Sequence, residues 1–238
     1  MQVIKFGGSS VKNAERIFAV IEIIKKKLST NADCIVVSSA LGGATDCLQD
    51  AANLAKNSED FQEITKELEE RHLNCLNELN IKDESLRTEI KTIFAELNDK
   101  LNGIQLLREL TPKTKDSILS TGERLSCRIL TAAAKEAGLN AALHETTETI
   151  LTNDDFGNAQ VDVEKSYQNL QDYYVKNKGL NIATGFIAKN SSGEITTLGR
   201  GGSDYTAALI GAALKAKQVE IWTDVDGCLL YTSDAADE

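Results

Sequence analysis

Two short apolar runs, each ending in small residues and followed by a helical pattern, restrict the fold of this chain more than any other feature. Residues 3–6 run into Gly7-Gly8-Ser9-Ser10, and residues 13–28 then set Ile17, Phe18, Ile21, Ile24 and Leu28 at helical spacing. Residues 34–40, CIVVSSA, run into LGGATD and a second helical stretch. Strands that read as continuous apolar runs are buried on both faces, which is the habit of parallel sheets. The repeated strand–loop–helix order therefore predicts an α/β fold with a mainly parallel sheet and ligand loops at the strand carboxyl ends.

The first loop, Lys5-Phe6-Gly7-Gly8-Ser9-Ser10, leaves two readings open. Glycines before a helix N-terminus allow a close approach to an anion, with Lys5 beside it. The lysine nevertheless precedes the glycines, unlike the order in G-x-x-x-x-G-K-[ST], and there is no G-x-G-x-x-G. A tight turn with a solvated lysine explains the same residues.

At 238 residues and 42% hydrophobic content, the chain can bury a large core in one domain. Its formal net charge of −10 argues against a nucleic-acid partner, since phosphate neutralisation needs an excess of lysine and arginine. Any anion site must then be a local pocket of basic groups or amides. The five cysteines show no C-x-x-C spacing, and only His72 and His144 could join them, so no metal site is expected. Reduced structural thiols, no secretory leader and no long apolar span suit a cytoplasmic protein without a membrane partner.

Residues 60–110 are rich in Glu, Lys, Leu and Asn, with Leu68, Leu76, Leu79, Ile90, Ile93, Phe94, Leu97 and Leu101 at helical intervals. They read as a helical insertion packed on one face, its charge solvated, and carry no chemistry of their own. Pro112 marks a break before a further helix containing STGERLS. Beyond it, strands are expected at 141–144, 180–188, 194–198 and 219–223, and helices over 163–176 and after GRGGSD; NSSG forms the hairpin turn.

LGRGGSDYTAALIGAALKA is the most informative stretch. Arg200, framed by Gly199, Gly201 and Gly202, suits a bound carboxylate, because guanidinium offers a two-pronged donor and glycines leave room. The plainer reading makes Ser203 or Asp204 a helix cap. Gly122 precedes Glu123 inside a helical pattern; a mid-helix glycine costs about 1 kcal/mol against alanine, so something approaches closely there. Glu123 itself reads first as a surface glutamate paired with an arginine. Ser38, Ser39 and Thr45 read first as turn hydroxyls, and Thr223-Asp224 and Asp226-Gly227 as a turn or a nucleotide contact.

Taken in order, K-F-G-G-S-S, V-V-S-S-A-x-G-G-x-T-D, S-T-G-E-R-L-S, G-F-I-A, T-L-G-R-G-G-S-D-Y-T-A-A and E-I-W-T-D-V-D-G closely resemble the catalytic domain of aspartate kinases, within the amino acid kinase family. The stretch VKNAERI is more similar to members fused to homoserine dehydrogenase. The resemblance implies a three-layer αβα sandwich with a helical insertion, binding L-aspartate and ATP, as its Mg²⁺ complex, over the strand ends. It also implies a homo-oligomeric full-length protein. Lys5 would contact the transferring phosphoryl group beside Gly7, Gly8 and Ser9, and Asp204 would orient Lys5. Ser39, Thr45, Glu123, Phe186, Arg200 and Ser203 would surround the aspartate, and Thr223 and Asp224 would lie near the nucleotide. No protein-held metal is implied. Related readings are a kinase for glutamate or N-acetylglutamate and a non-catalytic amino-acid-binding remnant of the same fold.

The resemblance stops at Gly227, setting a domain boundary of 1–227. The tail CLLYTSDAADE, residues 228–238, matches a reading frame through a transposase sequencing adaptor and is expected to be non-native; a frayed acidic tail is the alternative. Family members continue with a tyrosine and an aspartate-proline-arginine segment that help bind ATP. A chain without them is expected to hold the nucleotide incompletely and, by itself, to show no measurable ATP-dependent aspartyl hydroxamate formation.

Overall fold

The computed structural model describes residues 1–29 and 33–223. The expected boundary at 227 and the 228–238 tail lie outside them, as does Asp224. Strand β1 (Gln2–Phe6) leads through a short 3-10 turn at Gly8–Val11 into helix α1 (Ala14–Leu28). Strand β2 (Cys34–Ser38) leads into α2 (Ala44–Lys56), and α3 (Gln62–Glu78), α4 (Glu84–Leu107) and α5 (Pro112–Glu136) follow. Strands β3 (Ala141–His144) and β4 (Leu151–Thr152) precede α6 (Val163–Lys176). The chain continues through β5 (Leu180–Thr184), β6 (Ile187–Asn190), β7 (Ile195–Thr197), α7 (Gly202–Ala213) and β8 (Gln218–Trp222).

Five strands form a parallel sheet in the order β3-β5-β2-β1-β8, and β4-β6-β7 form a smaller sheet beside it. Side chains alternate across the main sheet. Ile4, Phe6, Cys34, Val36, Leu180 and Ile182 pack on one face, against α1, α2 and α5. Val3, Ile35, Val37 and Ala183 pack on the other, against α6 and α7. The three expected layers are present. The same alternation turns Lys5, two residues from Val3, towards α7.

The insertion is two helices, α3 and α4, and they bury more than a stripe. Phe94, Leu97 and Leu101 of α4 are inaccessible and merge with α2 and α5 into the larger core. His72 is buried there, its Nδ1 2.7 Å from the Leu68 carbonyl, while His144 lies between Tyr174 and Thr149. Burial holds their pKa values down, to about 4 and about 3. Among the described residues Cys34, Cys47, Cys75 and Cys127 are free thiols, and only Cys47 is not buried.

One expected strand is in fact two. Residues 180–188 break at Gly185-Phe186, where Phe186 adopts φ +67°. The Gly185 N–H donates to Ser38 O, and the Phe186 N–H leaves the ladder for Thr206 Oγ1 of α7. The chain thereby passes from the main sheet into β6 of the small one. A period-two apolar pattern does not register such a step, because both halves are buried. The final strand differs from the buried pattern of β1 and β2. Val219, Ile221 and Trp222 of β8, the last strand on that side among the described residues, are substantially exposed.

Asp116 joins the small sheet to α5. Fully buried, it accepts hydrogen bonds from Gly157 N at 2.8 Å, Thr197 N at 2.9 Å and Thr197 Oγ1 at 2.8 Å. Burial pushes its pKa up, and the three donors oppose that shift. Asp116→Ala leaves three donors unpaired and is expected to lower stability by roughly 2–4 kcal/mol in urea titrations, with Asp116→Asn intermediate.

Candidate active site

The loops after β1, β2 and β5 and the start of α7 converge at the carboxyl edge of the sheet. They enclose a cavity of about 320 Å³ lined by Lys5, Gly8, Ser39, Thr45, Glu123, Phe186, Ser203 and Asp204 among others. Lys5 is 8% exposed, and its Nζ lies 2.6 Å from Asp204 Oδ1. An ammonium so poorly hydrated is held by its carboxylate partner. Asp204 thus does not cap α7, and neither does Ser203, whose Oγ accepts a 2.9 Å hydrogen bond from Ser39 Oγ. The N-cap position is Gly201 at φ +75°, and α2 begins likewise at Gly43, φ +79°; neither start has a side-chain cap. The first amides of the two helices bond loop carbonyls, Ala44 N to Leu41 O and Gly202 N to Gly199 O, and no side chain caps the rest, so two helix N-termini face the cavity that Lys5 lines.

Glu123 faces the same cavity from the middle of α5. It is 3% exposed; Oε1 accepts from Ala40 N at 3.2 Å, and Oε2 has no protein partner. The surface-glutamate reading is overturned. Gly122 explains the placement: a Cβ there would sit 2.7 Å from Ala40 Cβ, so only glycine lets α5 press against the β2–α2 loop. Burial raises the Glu123 pKa from 4.5 to about 8, against the opposing Ala40 hydrogen bond.

Other expected residues divide. Gly7 lies against Lys5, with its built Cβ position 3.4 Å from Nζ, and Ser9 sits in the 3-10 turn that follows. Arg200 does not enter the cavity. It is exposed, between Gly199 and Gly201, and lines a neighbouring cleft with Lys56, Lys115 and Phe186; Phe186 and Gly199 border both spaces. Thr223 is exposed just beyond β8. Among the described residues no group of three or more His, Cys, Asp or Glu is placed to hold a metal ion. No described helix is long and apolar enough to cross a membrane. Reading the sequence alone missed Asp46, which lines the cavity one residue past Thr45, and Arg71, which reaches the loops from α3. The D of G-G-x-T-D was the available signal for Asp46, whereas nothing in a charged helix singles out Arg71.

Fold and cavity define the class: a three-layer α/β protein in which a lysine–aspartate pair and a buried carboxyl line one cavity at the ends of parallel strands. A sequence model of the amino acid kinase family matches residues 1–237, and the chain belongs to that family. It is 38% identical to aspartokinase 1, chloroplastic, of Arabidopsis thaliana, over 95% of this chain and 40% of that protein. It is 32% identical to the bifunctional aspartokinase/homoserine dehydrogenase of Buchnera aphidicola, over 98% of this chain and 29% of that protein. The structure of Escherichia coli aspartokinase III in complex with aspartate and ADP superposes with a TM-score of 0.85 at 31% identity, covering 95% of this chain and 50% of that one. The chain therefore spans half or less of the length of these relatives.

Glu123 makes a pH test. A carboxyl whose folded pKa lies above its unfolded value keeps a proton that the unfolded chain has released, so stability falls as pH rises between 4.5 and about 8. His72 and His144, held neutral by burial, act oppositely up to about 6.5, their ordinary value. Between about pH 6.5 and 8 the Glu123 effect stands clear. Urea midpoints are expected to fall over that interval and to stay level in Glu123→Gln; equal slopes would remove Glu123 as the cause.

Proposed function

We propose that this chain carries the catalytic unit of an aspartate kinase. The reaction moves the γ-phosphoryl group of Mg-ATP onto the side-chain carboxylate of L-aspartate: a C–O–P bond forms at the carboxylate, the β–γ bridge bond of ATP breaks, and ADP leaves. The product, 4-phospho-L-aspartate, opens the route to lysine, threonine and methionine. The observation that carries this reading is one cavity lined by two groups of opposite character, the Lys5–Asp204 pair with two helix starts that no side chain caps, and the buried Glu123 with its free Oε2. The family membership and the aspartate and ADP bound to aspartokinase III support it.

The residues then divide the work. An aspartate side chain, pKa near ~4, is already ionised at neutral pH, so transfer needs no general base. The difficulty is to bring two anions together, and positioning with fixed charge supplies the means. Lys5, set by Asp204, stands at the phosphoryl oxygens, and the amides at Gly8 and Gly43 surround the same region. Glu123 takes the α-ammonium, whose arrival draws off the proton that burial retains. Ser39, Thr45, Phe186 and Ser203 wall the acceptor. Arg200 holds the α-carboxylate from the border of the adjoining cleft. The Mg²⁺ arrives with the nucleotide and neutralises phosphate charge, while Thr223 and Asp224 lie on the nucleotide side. The free thiols fit a reducing compartment, for which we propose the cytoplasm, and the complete protein is proposed to be a homo-oligomer.

Titration of the chain with L-aspartate and with Mg-ATP, alongside an aspartyl hydroxamate assay, tests the reading. In the complete protein, Lys5→Ala is expected to lower kcat about 10²-fold or more with aspartate affinity little changed, and Arg200→Ala mainly to raise the aspartate KM. Binding of aspartate without Mg-ATP would point to a binding remnant. A preference for glutamate or N-acetylglutamate would reassign the acceptor, and Lys5→Ala turning over at the parent rate would refute the lysine's role.

A further inference from the structure

The charged stretch after Lys56 holds a side chain that reaches the active-site loops. Arg71 projects from α3, and its Nη2 donates to two backbone carbonyls, Gly42 O at 2.6 Å and Lys12 O at 2.9 Å. Gly42 belongs to the loop that carries Ser39, Ala40 and Thr45. Lys12 ends the turn that starts at Gly8. The two loops already touch back to back: a Cβ on Gly42 would lie 2.9 Å from Lys12 Cβ and 3.0 Å from Gly8 O. Arg71 closes this contact from outside.

The choice of partner is informative. Glu67 stands four residues earlier on α3, the usual spacing for a helical ion pair, and Glu70 and Glu78 line the same hollow as Arg71. Among the described residues no acid lies within ion-pair range of the guanidinium, which is committed to the carbonyls instead. The geometry has a consequence one bond further on. In a trans peptide the C=O and the next N–H point in opposite directions. With the Gly42 C=O drawn to Arg71, the Gly43 N–H is turned away from it, to the side where Gly42 and Gly43 line the cavity. That N–H donates to no acceptor among the described residues.

We propose that Arg71 is a positioning residue for phosphoryl transfer: it locks the Gly8 and Gly42 loops together and aims the Gly43 N–H into the cavity as an anion donor. The proposal rests on the kinase reading for its purpose and on the hydrogen bonds for its geometry. Lysine is a poor substitute, because a single ammonium on a flexible stem lacks the planar donor set.

Arg71→Met, which keeps the apolar stem and removes the donors, and Arg71→Lys separate the roles. By hydrogen exchange of the whole chain, residues 7–13 and 40–46 of Arg71→Met are expected to exchange about tenfold faster, with α6, α7 and β5 within about twofold of the parent. Arg71→Lys should recover part of the protection. In the hydroxamate assay of the complete protein, Arg71→Met should lose about 10- to 100-fold in kcat while the aspartate KM stays within about threefold. Unchanged exchange in both loops, or equal acceleration throughout the chain, would overturn the clamp. A parent chain that neither binds aspartate nor transfers phosphate would sink the kinase reading instead, and the exchange result would still decide the clamp.

Discussion

The site exists because glycines let neighbouring segments approach where a side chain would collide. Gly8 lies against Ala40 and Gly42, Gly122 against Ala40, Gly185 against Ser203, and Gly202 against Phe186. The first joins the β1 and β2 loops, the second α5 to the β2 loop, and the last two the end of β5 to α7, so β1, β2, β5, α5 and α7 are drawn to one point at the sheet's carboxyl edge. A Cβ at any of these glycines must displace a neighbour. Conformational freedom is secondary at Gly8, Gly122, Gly185 and Gly202; space is what their absent side chains supply.

That crowding makes the electrostatics workable. The chain is strongly acidic, yet under the proposed reaction the cavity receives anions. Water is largely excluded around Lys5 and Glu123, so each interaction counts for more than it would at the surface. Lys5 is neutralised by Asp204 until a ligand competes, while Glu123 avoids the cost of a buried charge by retaining its proton. The two groups are discharged by different means, one by pairing and one by protonation. Either can become charged towards a ligand at modest cost.

Much of this was legible in the residues. The buried strands β1 and β2, the helices on either side and the β6–β7 hairpin follow from periodicity and turn chemistry. Gly122 announced a close approach that α5 and Ala40 make. What escaped had a physical reason in each case. The break at Gly185-Phe186 sits inside a continuous apolar run, where both halves bury their side chains. Glu123 looked like a surface residue because its neighbours Arg124 and Arg128 are the charged face of the same helix; both pair with Glu145 instead. Ser203 and Asp204 looked like caps because cap and ligand residues share one chemistry. Arg71 was invisible because its partners are carbonyls, which no sequence records.

β8 gives the site a boundary condition. Lys5 stands on β1, and among the described strands β1 pairs with β2 within the sheet and β8 outside it. Lys5 is in register with Val37 on one side and with Ile221 on the other, and Val219, Ile221 and Trp222 around that position are wet. Hydrogen bonds of an edge strand fray first, and a frayed β8 would give the Lys5 strand an open edge. Lys5 is thus held by Asp204 at its ammonium and, along its backbone, by a strand whose outer neighbour is partly exposed.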